Sequence, residues 1–303
     1  MKSHPGALVV GTLIDGERHL DLQGPEPFSP DQLFQIGSVT KTFTALLLAR
    51  RLASGELTID TPVADLFPSA GAVRVDRPLT VGELATHRSG LPRIPPSMWR
   101  KALSLDDNPY AGYGDEELAD DLARVRLRGR GRVRYSNLGM GMLGHALARA
   151  AGTSYDALVR AEICDPLGLA DTTAAPSDEQ RPRLAVGHRR LGKPRAVAWE
   201  FDALAGAGAL WSTGSDLLGY LEAHLNPPEG LLGAALRRVL VEPVLAWQSI
   251  PKGTFAGLWW HNGGTAGFRS MVVLDPARVR ASLALAPVDR GVEAVALQAL
   301  GQD

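Results

Sequence analysis

Residues 37 to 52, GSVTKTFTALLLARRL, constrain the fold more than any other stretch of this chain. The run from Phe43 to Ala49 is apolar almost all round, which makes it a helix packed inside a sizeable core rather than one lying on a surface. A lysine stands at its head. The chain has 32 basic residues, of which only five (Lys2, Lys41, Lys101, Lys193 and Lys252) are lysine, so Lys41 is not there by default. Ser38 occupies the cap position, where its oxygen can accept from free N–H groups of the first turn. The i, i+3 spacing puts the Ser38 hydroxyl and the Lys41 amine on one face. Burial and the positive pole of the helix lower the pKa of such an amine, and a neutral amine can take a proton from a serine. The same letters also read as a capping serine beside a snorkelling lysine.

Composition narrows the alternatives. The chain has 303 residues, 45% hydrophobic and 21% charged, with a formal net charge of -1, which is enough for one large domain or two smaller ones. That balance calls for neither nucleic acid nor an anionic membrane as partner. The single cysteine, Cys164, rules out an internal disulfide and a cysteine-cluster metal site, and reads as a small buried hydrophobe. No HExxH pattern or membrane-length apolar window is present. The apolar stretch after MKSHPG is too short for a signal peptide and reads as a first strand, so the expectation is a cytoplasmic protein.

Ala7 to Ile14 and Glu17 to Gln23 predict two strands around a turn at Asp15-Gly16. Helical patterns then alternate with Pro and Gly breaks: Thr80 to Thr86, Glu116 to Val125, Leu138 to Ala151, Tyr155 to Ile163 and Ser215 to His224. Strand signals return at Pro243 to Ser249, Thr254 to His261, Ser270 to Leu274 and Ala281 to Leu285, and a helix from Val292 to Leu300 closes the series. Strands at both ends with helices between predict an α/β (α+β) fold. Residues 1–60 and 195–303 form its sheet domain, and residues 61–194 are an inserted, mostly helical domain.

Two further stretches bear on chemistry. In VRYSNLGMGMLGHALARA, residues 133 to 150, Ser136 or Asn137 can cap the following helix, which leaves Tyr135 unexplained. A phenol beside a lysine can have its pKa lowered and act as a base, and an Asn can bind a substrate amide. In GLWWHNGGTAGFRS, residues 257 to 270, an apolar strand ends at His261, and Gly263 and Gly264 either let a substrate backbone approach or make a hairpin turn. The run RVRLRGRGRVR, residues 124 to 134, has an arginine at every second position. It reads first as a solvated loop neutralised by Asp115, Glu116, Glu117, Asp120 and Asp121. A rim for anionic substrates comes next, and nucleic acid is a distant third. His87 reads as structural or cleft-lining, and His145 as packed or surface. No GxSxG elbow exists for a Ser-His-Asp hydrolase.

Taken together, Ser38-Val39-Thr40-Lys41, Tyr135-Ser136-Asn137 and His261-Asn262-Gly263 resemble the S-x-x-K, Y-x-N and H-x-G motifs of the serine β-lactamases and penicillin-binding proteins, in the branch of class C β-lactamases, DD-peptidases and esterases. FQIGSVTKTFTA, LATHRSGLP, GAGALWSTGSDLLGY and HNGGTAGFRSMVVLDP extend the likeness over most of the chain. The resemblance implies an antiparallel sheet flanked by helices, with the site in a cleft against the inserted domain. It makes Ser38 the nucleophile, with Lys41 and Tyr135 moving its proton. Asn137 would hold the substrate, Ser38 and Gly264 N–H groups would form the oxyanion hole, and His261 would face the cleft beside Gly263. It implies acyl transfer on a small-molecule ester, amide or β-lactam-like substrate, with no cofactor or metal. Because His261 stands where class C β-lactamases have lysine, an esterase, amidase or acyltransferase is expected over an efficient β-lactamase, with a DD-peptidase, a weak β-lactamase or a non-catalytic binding protein as alternatives.

Overall fold

The computed structural model describes residues 7–24, 29–99, 108–189, 193–195, 197–288 and 290–301. The strands are β1 (Leu8–Ile14), β2 (Glu17–Gln23), β3 (Phe34–Gln35), β4 (His188–Arg189), β5 (Lys193–Arg195), β6 (Trp211–Ser212), β7 (Gln248–Ser249), β8 (Trp259–Thr265), β9 (Phe268–Asp275) and β10 (Arg280–Ala286). The helices are α1 (Thr40–Ala53), α2 (Val63–Leu66), α3 (Val81–Ala85), α4 (Asp115–Arg124), α5 (Asn137–Ala150), α6 (Tyr155–Val159), α7 (Asp165–Leu167), α8 (Gly214–Leu225), α9 (Gly230–Arg238) and α10 (Glu293–Ala299).

A six-stranded sheet runs β2-β1-β10-β9-β8-β7, and every neighbouring pair is antiparallel. The β1–β2 hairpin turns at Asp15 and Gly16 with φ of 53° and 81°, the double positive φ of a type I′ turn, which Asp-Gly favours. Helices cover both faces, so β9 and β10 are buried along nearly their whole length and read as apolar runs rather than alternating ones. On one face Leu13, Val272, Leu274, Leu283 and Leu285 join the large core with α1 and α8, while on the other Met271, Val273, Ala284 and Ala286 pack on Val292 and Ala296 at α10.

Helix α1 is enclosed from Thr40 to Ala49, as its all-round apolarity requires. Its inner hydroxyls are satisfied. Thr42 donates to the Val39 carbonyl at 2.8 Å and accepts from the Tyr220 hydroxyl at 3.1 Å, and Thr44 lies 2.7 Å from the Tyr155 hydroxyl. Cys164 is buried and burial pushes its thiol up to about 12, in keeping with a small hydrophobe.

Several expectations change. Only Gln248 and Ser249 of the stretch 243–249 form a strand; Ala246 has φ 61° and the segment before it loops inward to bury Leu245 and Trp247. The strand expected over 254–261 starts later and continues through both glycines to Thr265. The arginine run is irregular from residue 125 to 134, in line with its first reading as a loop. Its first residue ends α4, and the chain then turns over at Gly129 and Gly131, both with positive φ. The acidic segment before it is mostly engaged elsewhere: Asp121 is buried and accepts from Ser97 and Tyr113, and Asp115 meets Arg149. Arg124 pairs with Asp120, but Arg130 is held by Glu83 of α3 at 2.6 Å, and Glu83 also takes Arg77 at 2.8 Å and closes the capping box with Thr80. Arg130 therefore serves the fold. Glu83→Gln leaves Arg130 half-paired in a largely enclosed site and is expected to cost about 1–3 kcal/mol, read as a lower urea midpoint.

Candidate active site

The chain enters the site through β3 and a 3-10 turn, Gly37–Val39, before α1 begins at Thr40. Ser38 is thus not a helix cap, since Val39 holds that position without a side-chain hydrogen bond. Its hydroxyl instead lies 2.9 Å from Lys41 Nζ. Gly37 has φ 50°, and a Cβ there would stand 2.6 Å from the Gly264 nitrogen. Glycine before Ser38 lets the turn press against β8. At Gly263 a Cβ would meet the Ile36 carbonyl oxygen at 2.0 Å, so the same contact demands a bare backbone from the strand side. Gly263 is thus explained by the approach of the Gly37–Val39 turn, whereas a Cβ at Gly264 would meet the Arg269 guanidinium, and neither glycine makes a hairpin turn.

Lys41 has no solvent exposure, and its amine donates to the Ala207 carbonyl at 2.6 Å. Burial first, then the charge of Arg93, drive its pKa well below that of a free lysine. The pair of Lys41 with Ser38 is therefore a buried amine beside a half-buried hydroxyl, rather than a snorkelling cation.

Tyr135 reaches the same point from the turn before α5. Ser136 caps that helix by accepting from Gly139 N at 2.9 Å, which leaves Asn137 to donate to the Tyr110 hydroxyl at 2.9 Å with its own Oδ1 unpartnered among the described residues. Lys41 Nζ lies 4.9 Å from the Tyr135 ring centroid. The Tyr135 phenol is not acidified as a neighbouring lysine would suggest. Burial raises it to about 12, against a hydrogen bond with Ser38 and the charge of Arg93. Arg93, rather than Lys41, is the cation that pulls against burial here.

His261 departs from expectation. Along β8 it shares a face with Gly263 and Thr265, and the Gly37–Val39 turn closes that face, so the ring is fully enclosed 6.4 Å from Tyr135 rather than open to the cleft. Its Nδ1 bonds the Asn262 carbonyl at 2.7 Å, and burial pushes it down to about 3, so the ring is neutral. His87, whose Nδ1 accepts from Ser136 N at 3.2 Å, packs at a tilt against the Tyr135 ring and is likewise held down to about 3 by burial. His145 packs edge-on against Phe67.

These neutral histidines carry a stability prediction. With His224, lowered by burial to about 4, they stay unprotonated in the fold while the unfolded chain protonates near 6.5. The unfolded state then binds more protons, so stability present above pH 6.5 is lost as pH falls toward 3, by about 1.4 kcal/mol per pH unit for each ring. His224→Phe, remote from Ser38, is expected to flatten urea-measured stability between pH 6 and 5 by about 1 kcal/mol.

A cleft of about 710 Å³ opens over Ser38, Tyr135, Asn137, Gly263 and Gly264. Tyr110, Trp199 and Trp260 give it aromatic walls, and Arg93 and Arg269 also line it. Arg93 carried no motif in the sequence, and only its place between Pro92 and Pro95 in the loop before Tyr135 hinted at it.

The likeness extends to known proteins. The family profile described as Beta-lactamase matches residues 1–297. The D-alanyl-D-alanine-carboxypeptidase/endopeptidase AmpH of Escherichia coli (strain K12) is 29% identical over 275 residues, covering 82% of this chain and 69% of that protein. Esterase EstB of Burkholderia gladioli is 31% identical over 256 residues, covering 72% and 64%. The structure of a β-lactamase from Sulfitobacter sp. EE-36 superimposes with a TM-score of 0.82 at 24% identity, covering 98% of this chain and 91% of that one. The sheet with its helices is the β-lactamase/transpeptidase-like fold. With a profile match running nearly the whole length and relatives that include peptidases and esterases, this chain belongs to the β-lactamase family of serine hydrolases.

Proposed function

We propose that the protein is an esterase or amidase that works through an acyl-enzyme on Ser38. The observation that carries this reading is the fully buried amine of Lys41, 2.9 Å from Ser38 Oγ, in a setting that favours its neutral form. As Ser38 Oγ bonds the substrate carbonyl carbon, its proton passes to Lys41 Nζ. The backbone N–H groups of Ser38 and Gly264 hold the oxyanion, a reading supported by the close approach of Gly37 to Gly264. Tyr135, a neutral phenol hydrogen-bonded with Ser38, keeps its proton at rest and gives it to the leaving oxygen or nitrogen as the carbonyl-to-leaving-group bond breaks. Lys41 then returns a proton to Tyr135. Asn137, with Oδ1 unpartnered, orients the substrate amide or ester. Water completes the cycle, and another acceptor in its place would make the protein an acyltransferase.

The relative named as a D-alanyl-D-alanine-carboxypeptidase supports peptidase chemistry as the second reading. Brief exposure to a p-nitrophenyl ester and, separately, to a penicillin, followed by intact-protein mass spectrometry and fragmentation, tests both. An acyl adduct on Ser38 that clears quickly for the ester and slowly for the penicillin is the expected result. An adduct elsewhere, or none with no nitrophenol released, overturns the proposal in favour of a binding protein.

A further inference from the structure

The charge in the cleft is distributed unevenly. Burial holds the Lys41 amine well below the usual lysine range and leaves His261 neutral, and Glu293, the one carboxylate lining the cleft among the described residues, is engaged by Asn262 Nδ2 at 3.0 Å and sits within the field of Arg269. Arg93 is different. Its side chain is exposed in the cleft, and no carboxylate lies within ion-pair distance of it among the described residues.

Its placement is nevertheless fixed. Pro92, Pro95 and Pro96 stiffen the loop that carries it. The Pro92 carbonyl accepts from Ser136 Oγ at 2.6 Å, and the Arg93 carbonyl accepts from Asn137 N at 2.8 Å, so the loop is tied to the turn that presents Tyr135 and Asn137. The guanidinium carbon stands 5.2 Å from the Tyr135 ring centroid, a cation–π distance that holds the head over the reacting end of the cleft. A planar fork of N–H donors, held there and lacking an internal acid, suits a carboxylate.

We propose that Arg93 is the anion-recognition residue of this cleft and selects ester or amide substrates that carry a carboxylate. This rests on the acyl-transfer reading of Ser38 for turnover, though not for binding. It assigns to the 91–96 loop the positive charge that His261 does not supply. The charge of Arg93 already reaches Lys41, Tyr110 and Tyr135, so a carboxylate arriving there meets the same groups that act on the carbonyl.

The test compares mono-p-nitrophenyl glutarate with p-nitrophenyl pentanoate, esters of similar length that differ in charge. Wild type is expected to favour the anionic ester by about tenfold to a hundredfold in kcat/KM, mainly through KM, and less so in high salt. Arg93→Gln brings the ratio near one, whatever happens to the shared chemical step, and Arg93→Lys keeps part of it. A butyrate ester of 4-hydroxybenzoate, with the charge on the leaving group, shows which side of the scissile bond meets Arg93. Binding is read separately in Ser38→Ala by tryptophan quenching with monomethyl glutarate against methyl pentanoate, since Trp199 and Trp260 line the cleft. Anion-selective binding that Arg93→Gln abolishes upholds the proposal even if no ester is turned over, a result that would fault the acyl-transfer reading alone. An unchanged anion-to-neutral ratio in Arg93→Gln, or no selectivity in Ser38→Ala, overturns it.

Discussion

Ser38→Ala is expected to lower ester turnover by at least about a thousandfold and to leave no acyl adduct, while the melting temperature moves by no more than a few degrees. The two halves of this result have separate causes. In the proposed mechanism the Ser38 hydroxyl, 2.9 Å from Lys41 Nζ, forms the acyl bond, so its loss leaves water as the nucleophile. Its structural work is slight, because α1 begins without a side-chain cap and the Lys41 amine keeps its bond to the Ala207 carbonyl. An alanine variant that still forms an adduct would show the nucleophile to be elsewhere.

Lys41→Met should lower kcat/KM by about a hundredfold to ten-thousandfold, the usual worth of a positioned proton acceptor, without lowering stability at pH 7. Methionine fills a similar volume with no charge to bury. Against this gain stands the Ala207 carbonyl, which loses its donor at a cost of about 1–3 kcal/mol. The sign of the pH dependence separates the terms. Because the folded amine titrates well below 10.5, between those two pKa values the unfolded chain carries a proton that the fold does not. Wild-type stability from Lys41 therefore rises with pH across that window, and the variant lacks this slope. The stability advantage of Lys41→Met should be largest near neutrality and shrink toward pH 10.5. Urea titrations at pH 7 and 9 measure it, and a variant with full turnover would remove Lys41 from the mechanism.

The sequence disclosed the elements whose signals are local. The β1–β2 hairpin announces itself by Asp15-Gly16, and α5 by Ser136 ahead of an apolar run. Helix α9 escaped notice because its segment opens on Gly230, holds a second glycine at Gly233 and has no side-chain cap. The pairing of β3 with β6 was invisible, since two residues on each side carry no periodicity. At the site, residue types and spacing alone left Ser38 and Lys41 open to a capping and snorkelling reading and Tyr135 unexplained, and only the joint resemblance of three motifs brought them together. Protonation was not legible for Tyr135, because it depends on how deeply the phenol is enclosed by segments distant in sequence. His261 shows the same limit: its position in the motif was plain, but the strand alternation that turns it beneath the Gly37–Val39 turn needed the register of β8. Arg93 is a single exposed arginine whose meaning comes wholly from the ring it covers.

The position of β1 between β2 and β10 has a consequence for how the protein matures. Val9 faces Leu22 on one side and Leu285 on the other, so the sheet cannot close until the last strand has left the ribosome. Throughout synthesis the emerging hairpin has an open, apolar inner edge, and α1 lacks the sheet face it is built to cover. Contacts between such distant parts of a chain form slowly, because the loop entropy must be met before any of them is made. The sheet therefore closes only after β10 has been made, and until then the nascent chain needs shielding from its neighbours.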